Sequence, residues 1–101
     1  MGAGLEIEAA QEAASLCVLY CLANLQQELG DLDNVVRIVK LLGFVNSAPG
    51  FTMQHVVMNG ASDLLLDLFG EKGRHARSSV GMAELPMNIA VEVEMIVEAV
   101  P

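Results

Sequence analysis

This chain has few of the aromatic and basic residues that bind nucleic acid, and it lacks the long apolar run that crosses a membrane. It contains three Phe, one Tyr and no Trp, which leaves little surface for stacking nucleobases. Five basic residues against 13 acidic ones give a formal net charge of −8, and that charge repels a phosphate backbone. No run approaches the roughly 18 apolar residues of a membrane span, and the N-terminus lacks the features of a secretion signal. We therefore expect a soluble, cytoplasmic protein with no membrane partner and no preference for nucleic acid, although an organellar location stays open.

The two cysteines carry little chemistry at their spacing. Cys17 and Cys21 lie four positions apart in a helical pattern, which puts both thiols on one face and matches neither a CxxC redox pair nor a zinc knuckle. We expect them to be small buried hydrophobes in a reducing compartment. Metal ligation with His55 or His75 is the alternative.

The length and composition predict one domain over residues 1–101. An apolar content of 53% is high for so small a unit, which favours burial of part of that surface in a subunit contact. Small and apolar residues that recur every three or four positions predict helices over about residues 8–29 and 53–69. Between them, residues 35–45 are rich in β-branched side chains and predict a central strand.

The last third of the chain predicts two more strands. Residues 77–85 and 89–97 are interpreted as a hairpin turning at Pro86, and the second of these segments alternates apolar and acidic residues. The order helix, strand, helix, strand, strand predicts an α+β layer in which two helices pack on one face of a mixed sheet.

Two residues of these strands suit the chemistry of small acids. Arg77 presents a planar fork of donors that fits a carboxylate, and Glu92 can position a water. In the predicted hairpin they are offset by four or five residues, roughly 15 Å along the sheet, so we expect them to meet across a subunit interface. A turn of two or four residues would put them on one face and a turn of three on opposite faces. A structural ion pair of Arg77 with a strand Glu is the simpler alternative.

Three stretches resemble the Rid superfamily, also called the YjgF family, which includes enamine and imine deaminases and proteins labelled as endoribonucleases. They are LGDLDNVVRIVKLLGFVNSAPGF, NGASDLLLDLFGEKGRHARSSVGMAELP and AVEVEMIVEAV. The likeness covers the chain from about Leu5 onward. It implies a chorismate-mutase-like fold, assembled as a homotrimer with clefts between neighbouring subunits.

The resemblance also implies roles for particular residues. Arg77 matches the arginine that binds the substrate carboxylate, and Glu92 matches the glutamate that holds the hydrolytic water. Ser79 stands where the deaminases often have Cys, and Ser62 falls on or near a position that is often Asn, so both would line the cleft. No metal or organic cofactor is needed. The family's usual N-terminal strands, with the aromatic residue that closes the cleft, have no counterpart in this chain.

These observations lead to three functional hypotheses. The first is Rid-like hydrolysis of small 2-imino or 2-enamino acids to 2-keto acids and ammonia. The second is a trimeric protein that binds small carboxylates, or another partner, without turnover. The third, cleavage of RNA, is disfavoured by the acidity. His75, between two arginines, is expected to be a polar loop residue, with a proton-shuttle role as the alternative.

Overall fold

The computed structural model describes residues 6–100. Within these residues, two helices and three strands follow one another in the predicted order. Short 3-10 turns lie between some of them, at Leu32–Asn34, Gly70–Gly73 and Pro86–Asn88. The elements are α1 (Ile7–Leu29), β1 (Val35–Asn46), α2 (Gln54–Phe69), β2 (Ala76–Met82) and β3 (Val91–Ala99).

The sheet is mixed, and its strand order is β2-β1-β3. β1 runs parallel to β2 and antiparallel to β3. A parallel pair needs a crossover connection, and α2 supplies it between β1 and β2. The α+β fold class is therefore confirmed, with β1 as the central strand. The predicted hairpin is wrong, because β2 and β3 occupy opposite sides of β1 and do not pair. The segment around Pro86 carries the chain across the sheet instead of reversing it between neighbours.

Both helices cover the same face of the sheet, as predicted. The residues that the helices bury against the sheet include Val18 and Leu22 in α1 and Met58 and Leu65 in α2. Leu68, near the end of α2, is 54% exposed. Within residues 6–100, neither helix has a stretch that is long and apolar enough to cross a membrane. The buried core comprises Ala10, Ala14, Val18, Leu22, Val35, Ile38, Leu41, Val45, Val57, Met58, Ala61, Leu65 and Val91.

The two helices are packed closely together at Gly60. A Cβ atom added to Gly60 would lie 2.2 Å from the backbone oxygen of Gln11, well inside van der Waals contact. Two hydrogen bonds join the helices beside this point: Gln11 Nε2 donates to the Val56 carbonyl at 2.9 Å, and Ser15 Oγ donates to the Gly60 carbonyl at 2.9 Å. The absence of a side chain at Gly60 therefore fixes the position of α2 relative to α1.

We predict that Gly60→Ala lowers the free energy of unfolding by about 2 kcal/mol, because the helix backbones must separate to admit a methyl group. Alanine at an exposed helix position would normally help, since it has the higher helix propensity. Asp67→Ala, on the exposed side of α2, is the control and should be neutral or stabilising. Urea unfolding followed by circular dichroism measures both. Equal stability of Gly60→Ala and the wild type would contradict the close approach.

Candidate functional site

Arg77 lies on the face of β2 that α2 covers. Its register partner on β1 is Leu41, which is fully buried under the helices. Paired residues of neighbouring strands point to the same side of a sheet, so the Arg77 side chain runs beneath α2. The side chain is partly buried, and this placement brings its guanidinium against polar groups of the helix.

Three neutral acceptors on α2 hold the guanidinium. Nη1 donates to Asn59 Oδ1 at 2.9 Å and to Ser62 Oγ at 3.1 Å, and Nη2 donates to the His55 carbonyl at 3.2 Å. Within residues 6–100, the ion pairs are Arg37 with Glu98 and Arg74 with Glu71, so no carboxylate neutralises Arg77. A guanidinium has five N–H donors; three are engaged here and two remain for another acceptor.

A short hydrogen-bond chain continues from Arg77 through Ser62 to His75. Ser62 Oγ lies 2.9 Å from His75 Nε2, and His75 Nδ1 lies 2.6 Å from the Gly73 carbonyl. A carbonyl only accepts, so Nδ1 carries the proton, and in the neutral ring Nε2 accepts from the Ser62 hydroxyl. Ser62 then accepts from Arg77 while it donates to His75. His75 lies in the loop before β2, as expected, and it joins the Arg77 network through Ser62.

Arg77 lines a groove of about 770 Å³ near the start of β2. β2 begins opposite Lys40, so the preceding residues of β1 have no strand beside them on that side, and the groove opens there. Three of its lining residues are arginines and none is acidic. The groove is lined by Arg37, Val39, Ser62, Leu66, Arg74, His75, Ala76 and Arg77.

Glu92 lies on the other face of the sheet. Its register partner is Phe44, on the side of β1 opposite to Leu41, and that side is not covered by the helices. Glu92 and Arg77 therefore share no groove within one chain. The sequence predicted that Arg77 and Glu92 are separated by an offset along a hairpin. That reason is wrong, because β1 lies between β2 and β3. That the two residues meet across a subunit interface stays a prediction.

Ser79 faces α2, two positions after Arg77. It pairs with Gly43 on the covered side of the sheet, and its hydroxyl oxygen is buried without a hydrogen-bond partner among the described residues. Ser62, by contrast, lines the groove and contacts Arg77 directly. Of the two serines predicted to bind substrate, Ser62 lies at the groove and Ser79 lies beneath the helix.

The sequence prediction missed Asn59 as a partner of Arg77. Asn59 and Ser62 are three positions apart on α2 and so lie on one side of the helix, beside the buried stripe that contains Met58 and Ala61. Two polar residues adjoining an apolar stripe were the available signal. No sequence pattern indicates that Arg37 and Arg74 line the groove, because their placement there depends on where β2 starts relative to β1.

The cysteines lie between α1 and β3. Cys17 Sγ contacts the Val91 carbonyl at 3.5 Å, and Cys21 Sγ contacts the Val93 carbonyl at 3.9 Å. Burial raises the pKa of both thiols, and for Cys17 the nearby Cys21 and Glu92 raise it further. Both are half-buried, as small hydrophobes under a helix would be. The described part of the chain contains no cluster of three or more His, Cys, Asp or Glu placed to hold a metal ion.

The fold belongs to a recognised class. Residues 1–99 match the family described as "YjgF/chorismate_mutase-like, putative endoribonuclease". The chain therefore belongs to the YjgF family, as the three quoted stretches predicted.

Individual relatives agree with this assignment. "Protein TCP17" of Trypanosoma cruzi is 54% identical over 99 residues, which are 97% of this chain and 62% of that protein. The crystal structure of "the protein Atu1372 with unknown function" from Agrobacterium tumefaciens matches this chain with a TM-score of 0.98 and 48% sequence identity. The match covers 100% of this chain and 65% of that chain. The crystal structure of a "putative endoribonuclease" from Shewanella oneidensis matches with a TM-score of 0.92 and 33% sequence identity, over 96% of this chain and 64% of that chain. The chain thus spans less than two thirds of the length of these relatives.

We predict opposite effects on stability for the two serines. Ser79→Ala should raise the free energy of unfolding by about 1 kcal/mol, because it removes a buried hydroxyl that has no partner. Ser62→Ala should lower it by about 1 to 2 kcal/mol, since it leaves Arg77 and His75 each without one hydrogen bond. Chemical denaturation compares the two variants directly. A loss of stability in Ser79→Ala as large as that in Ser62→Ala would show that the Ser79 hydroxyl has a partner.

We also predict low reactivity for the thiols. A raised pKa leaves less thiolate at a given pH, so both cysteines should alkylate about tenfold or more slowly in the folded protein than in urea. The folded-state rate should climb as the pH approaches the raised pKa. Iodoacetamide labelling at about pH 8, followed by mass spectrometry, measures the rates, and glutathione serves as the reference thiol. Equally fast labelling with and without urea would contradict the burial.

Proposed function

We propose that the protein hydrolyses small 2-imino and 2-enamino acids to 2-keto acids and ammonia at a cleft between subunits. The observation that carries this proposal is the Arg77 guanidinium, which is partly buried, has no carboxylate partner in the described chain, and keeps two donors unused. Two N–H donors match the two oxygens of a carboxylate. Partial burial strengthens that attraction relative to bulk water.

The reaction places few demands on the protein once the carboxylate is bound. An enamine such as 2-aminoacrylate tautomerises to an imine, and C2 of the imine is adjacent to the anchored carboxylate. A water adds to C2 and gives up a proton, and the resulting carbinolamine expels ammonia to leave the 2-keto acid. Anchoring C1 orients C2 toward the water. A carboxylate that accepts the proton typically adds about 10² to 10⁴ in rate.

Glu92 is the carboxylate proposed for this step, supplied by a neighbouring copy. It stands on the uncovered face of the sheet, where Leu42 and Phe44 are only half-buried and Val80 and Ile96 are 40% and 59% exposed. An uncovered sheet face with apolar side chains favours an association surface. This supports a homotrimer in which the Arg77 groove of one subunit receives Glu92 from the next.

A carboxylate-binding protein without turnover is the second candidate. Two observations support it. Glu92 lies on the opposite face of the sheet from the groove within one chain, and Ser79, which stands where the deaminases often have Cys, lies beneath α2. RNA cleavage, suggested by the names of some relatives, is disfavoured by the net charge of −8, which opposes the approach of a polyanion.

We predict that Arg77→Gln lowers kcat/KM for 2-aminoacrylate by about 100-fold or more, because the substrate loses its anchor. Ammonia release from enzymatically generated 2-aminoacrylate measures the rate. Lys72→Gln removes one positive charge outside the groove and is the matched control, with near wild-type activity expected. Equal rates for Arg77→Gln and the wild type would end the catalytic proposal. Arg77-dependent binding of pyruvate without ammonia release would establish the second candidate.

Mixing two inactive variants tests the shared site. If each site takes Arg77 from one subunit and Glu92 from its neighbour, every mixed trimer of Arg77→Gln and Glu92→Gln contains one intact site. Random mixing of equal amounts should then restore about a quarter of wild-type activity. Each variant is assayed alone after the same unfolding and refolding. No recovery in a mixture shown to contain mixed trimers would contradict a site built from two subunits.

A further inference from the structure

The groove that contains Arg77 concentrates positive charge in an acidic protein. Three of its eight lining residues are arginines, and none is Asp or Glu. The whole chain has five basic residues and 13 acidic ones, so most of its positive charge lies in this one place. Like charges gathered in a cleft between low-dielectric walls focus the field onto a small anion. Two of the three already pair with a glutamate that does not line the groove, Arg37 with Glu98 and Arg74 with Glu71.

The three arginines differ in how firmly they are held by the rest of the chain. Arg37 pairs with Glu98, its register partner on β3, so this ion pair also joins two strands. Arg74 pairs with Glu71 through Nε at 3.2 Å, three residues back, with side chains that are 74% and 85% exposed. An exposed pair of this kind contributes about 0 to 1 kcal/mol and exchanges readily. Arg74 is therefore the second cation that a ligand can recruit.

We propose that the groove binds a small 2-oxo or 2-imino acid whose side chain carries a second carboxylate, with the first carboxylate at Arg77 and the second at Arg74. The contact of Arg74 with Glu71 uses Nε, so its two terminal amino groups keep their donors. Leu66 and Val39 in the lining provide apolar surface for the carbon chain between the two acids. This inference rests on the proposed anchoring role of Arg77 and adds a preference for diacids.

The test compares two ligands that differ only at the far end. 2-Oxoglutarate has a terminal carboxylate where 2-oxopentanoate has a methyl group. Isothermal titration calorimetry at low ionic strength should give a Kd for 2-oxoglutarate about fivefold lower than for 2-oxopentanoate, and added salt should shrink this preference. Equal values of Kd would overturn the inference. Inorganic phosphate that binds as tightly as 2-oxoglutarate would also overturn it, because the groove would then respond to charge alone.

Two substitutions should move the preference in opposite directions. Arg74→Gln should remove it by raising the Kd of 2-oxoglutarate much more than the Kd of 2-oxopentanoate. Glu71→Gln should enlarge it, because Arg74 loses the carboxylate that competes with the ligand. Lys72→Gln, which removes the same charge as Arg74→Gln from outside the groove, is the control and should keep the wild-type ratio. A preference retained in Arg74→Gln would overturn the assignment of that residue.

The same titrations separate this inference from the proposed function. Binding of 2-oxopentanoate that does not change in Arg77→Gln would show that the anchor itself is wrong, and both proposals would fall. Arg77-dependent binding of both ligands with one Kd would overturn only the diacid preference and leave the anchor intact.

Discussion

The contact between the Arg77 guanidinium and α2 is the constraint on which the candidate site depends. A partly buried charge is costly unless its donors are satisfied, and here Asn59, Ser62 and the His55 carbonyl satisfy three of them. All three acceptors lie on one helix, so the position of α2 decides where the charge points. That position is set by the crossover from β1 to β2 and by the close approach of α1 at Gly60. The packing of the two helices against each other thus determines where the Arg77 charge lies.

Much of the fold could be predicted from local patterns. Gly30 ends α1 where the sequence indicated, with a positive φ of 81° that favours glycine, and β1 starts at Val35 as predicted. The alternation of β3 correctly separated Val91, which is buried, from Glu92. These features depend on period and on neighbouring residues, which a single sequence displays directly.

The pairing of the strands could not be predicted in the same way. The segment around Pro86 was interpreted as a hairpin turn, because strands that follow each other in sequence often pair. The chain instead places β1 between β2 and β3, and α2 supplies the crossover that makes β1 and β2 parallel. The edge that β3 joins is decided by contacts between residues that are distant in sequence, so no local signal marks it. The same limit explains the site: Arg77 was identified from its type and motif, whereas Asn59 and the other arginines of the groove depend on the register of β2 against β1.

The register also explains why Arg77 and Glu92 are separated. Arg77 pairs with Leu41 and Glu92 with Phe44 on the same central strand. These two positions of β1 differ by three, an odd number, and successive side chains alternate between the faces of a sheet. The anchor therefore points under the helices while the carboxylate points to the open face, however long the connecting turn is. The two roles proposed for Arg77 and Glu92, binding of a carboxylate and activation of water, thus fall on different surfaces of one subunit. In the proposed mechanism, binding would need only the packing of α2, whereas hydrolysis would need a second copy on the open face, so substitutions on that face would abolish turnover without weakening the binding of the carboxylate.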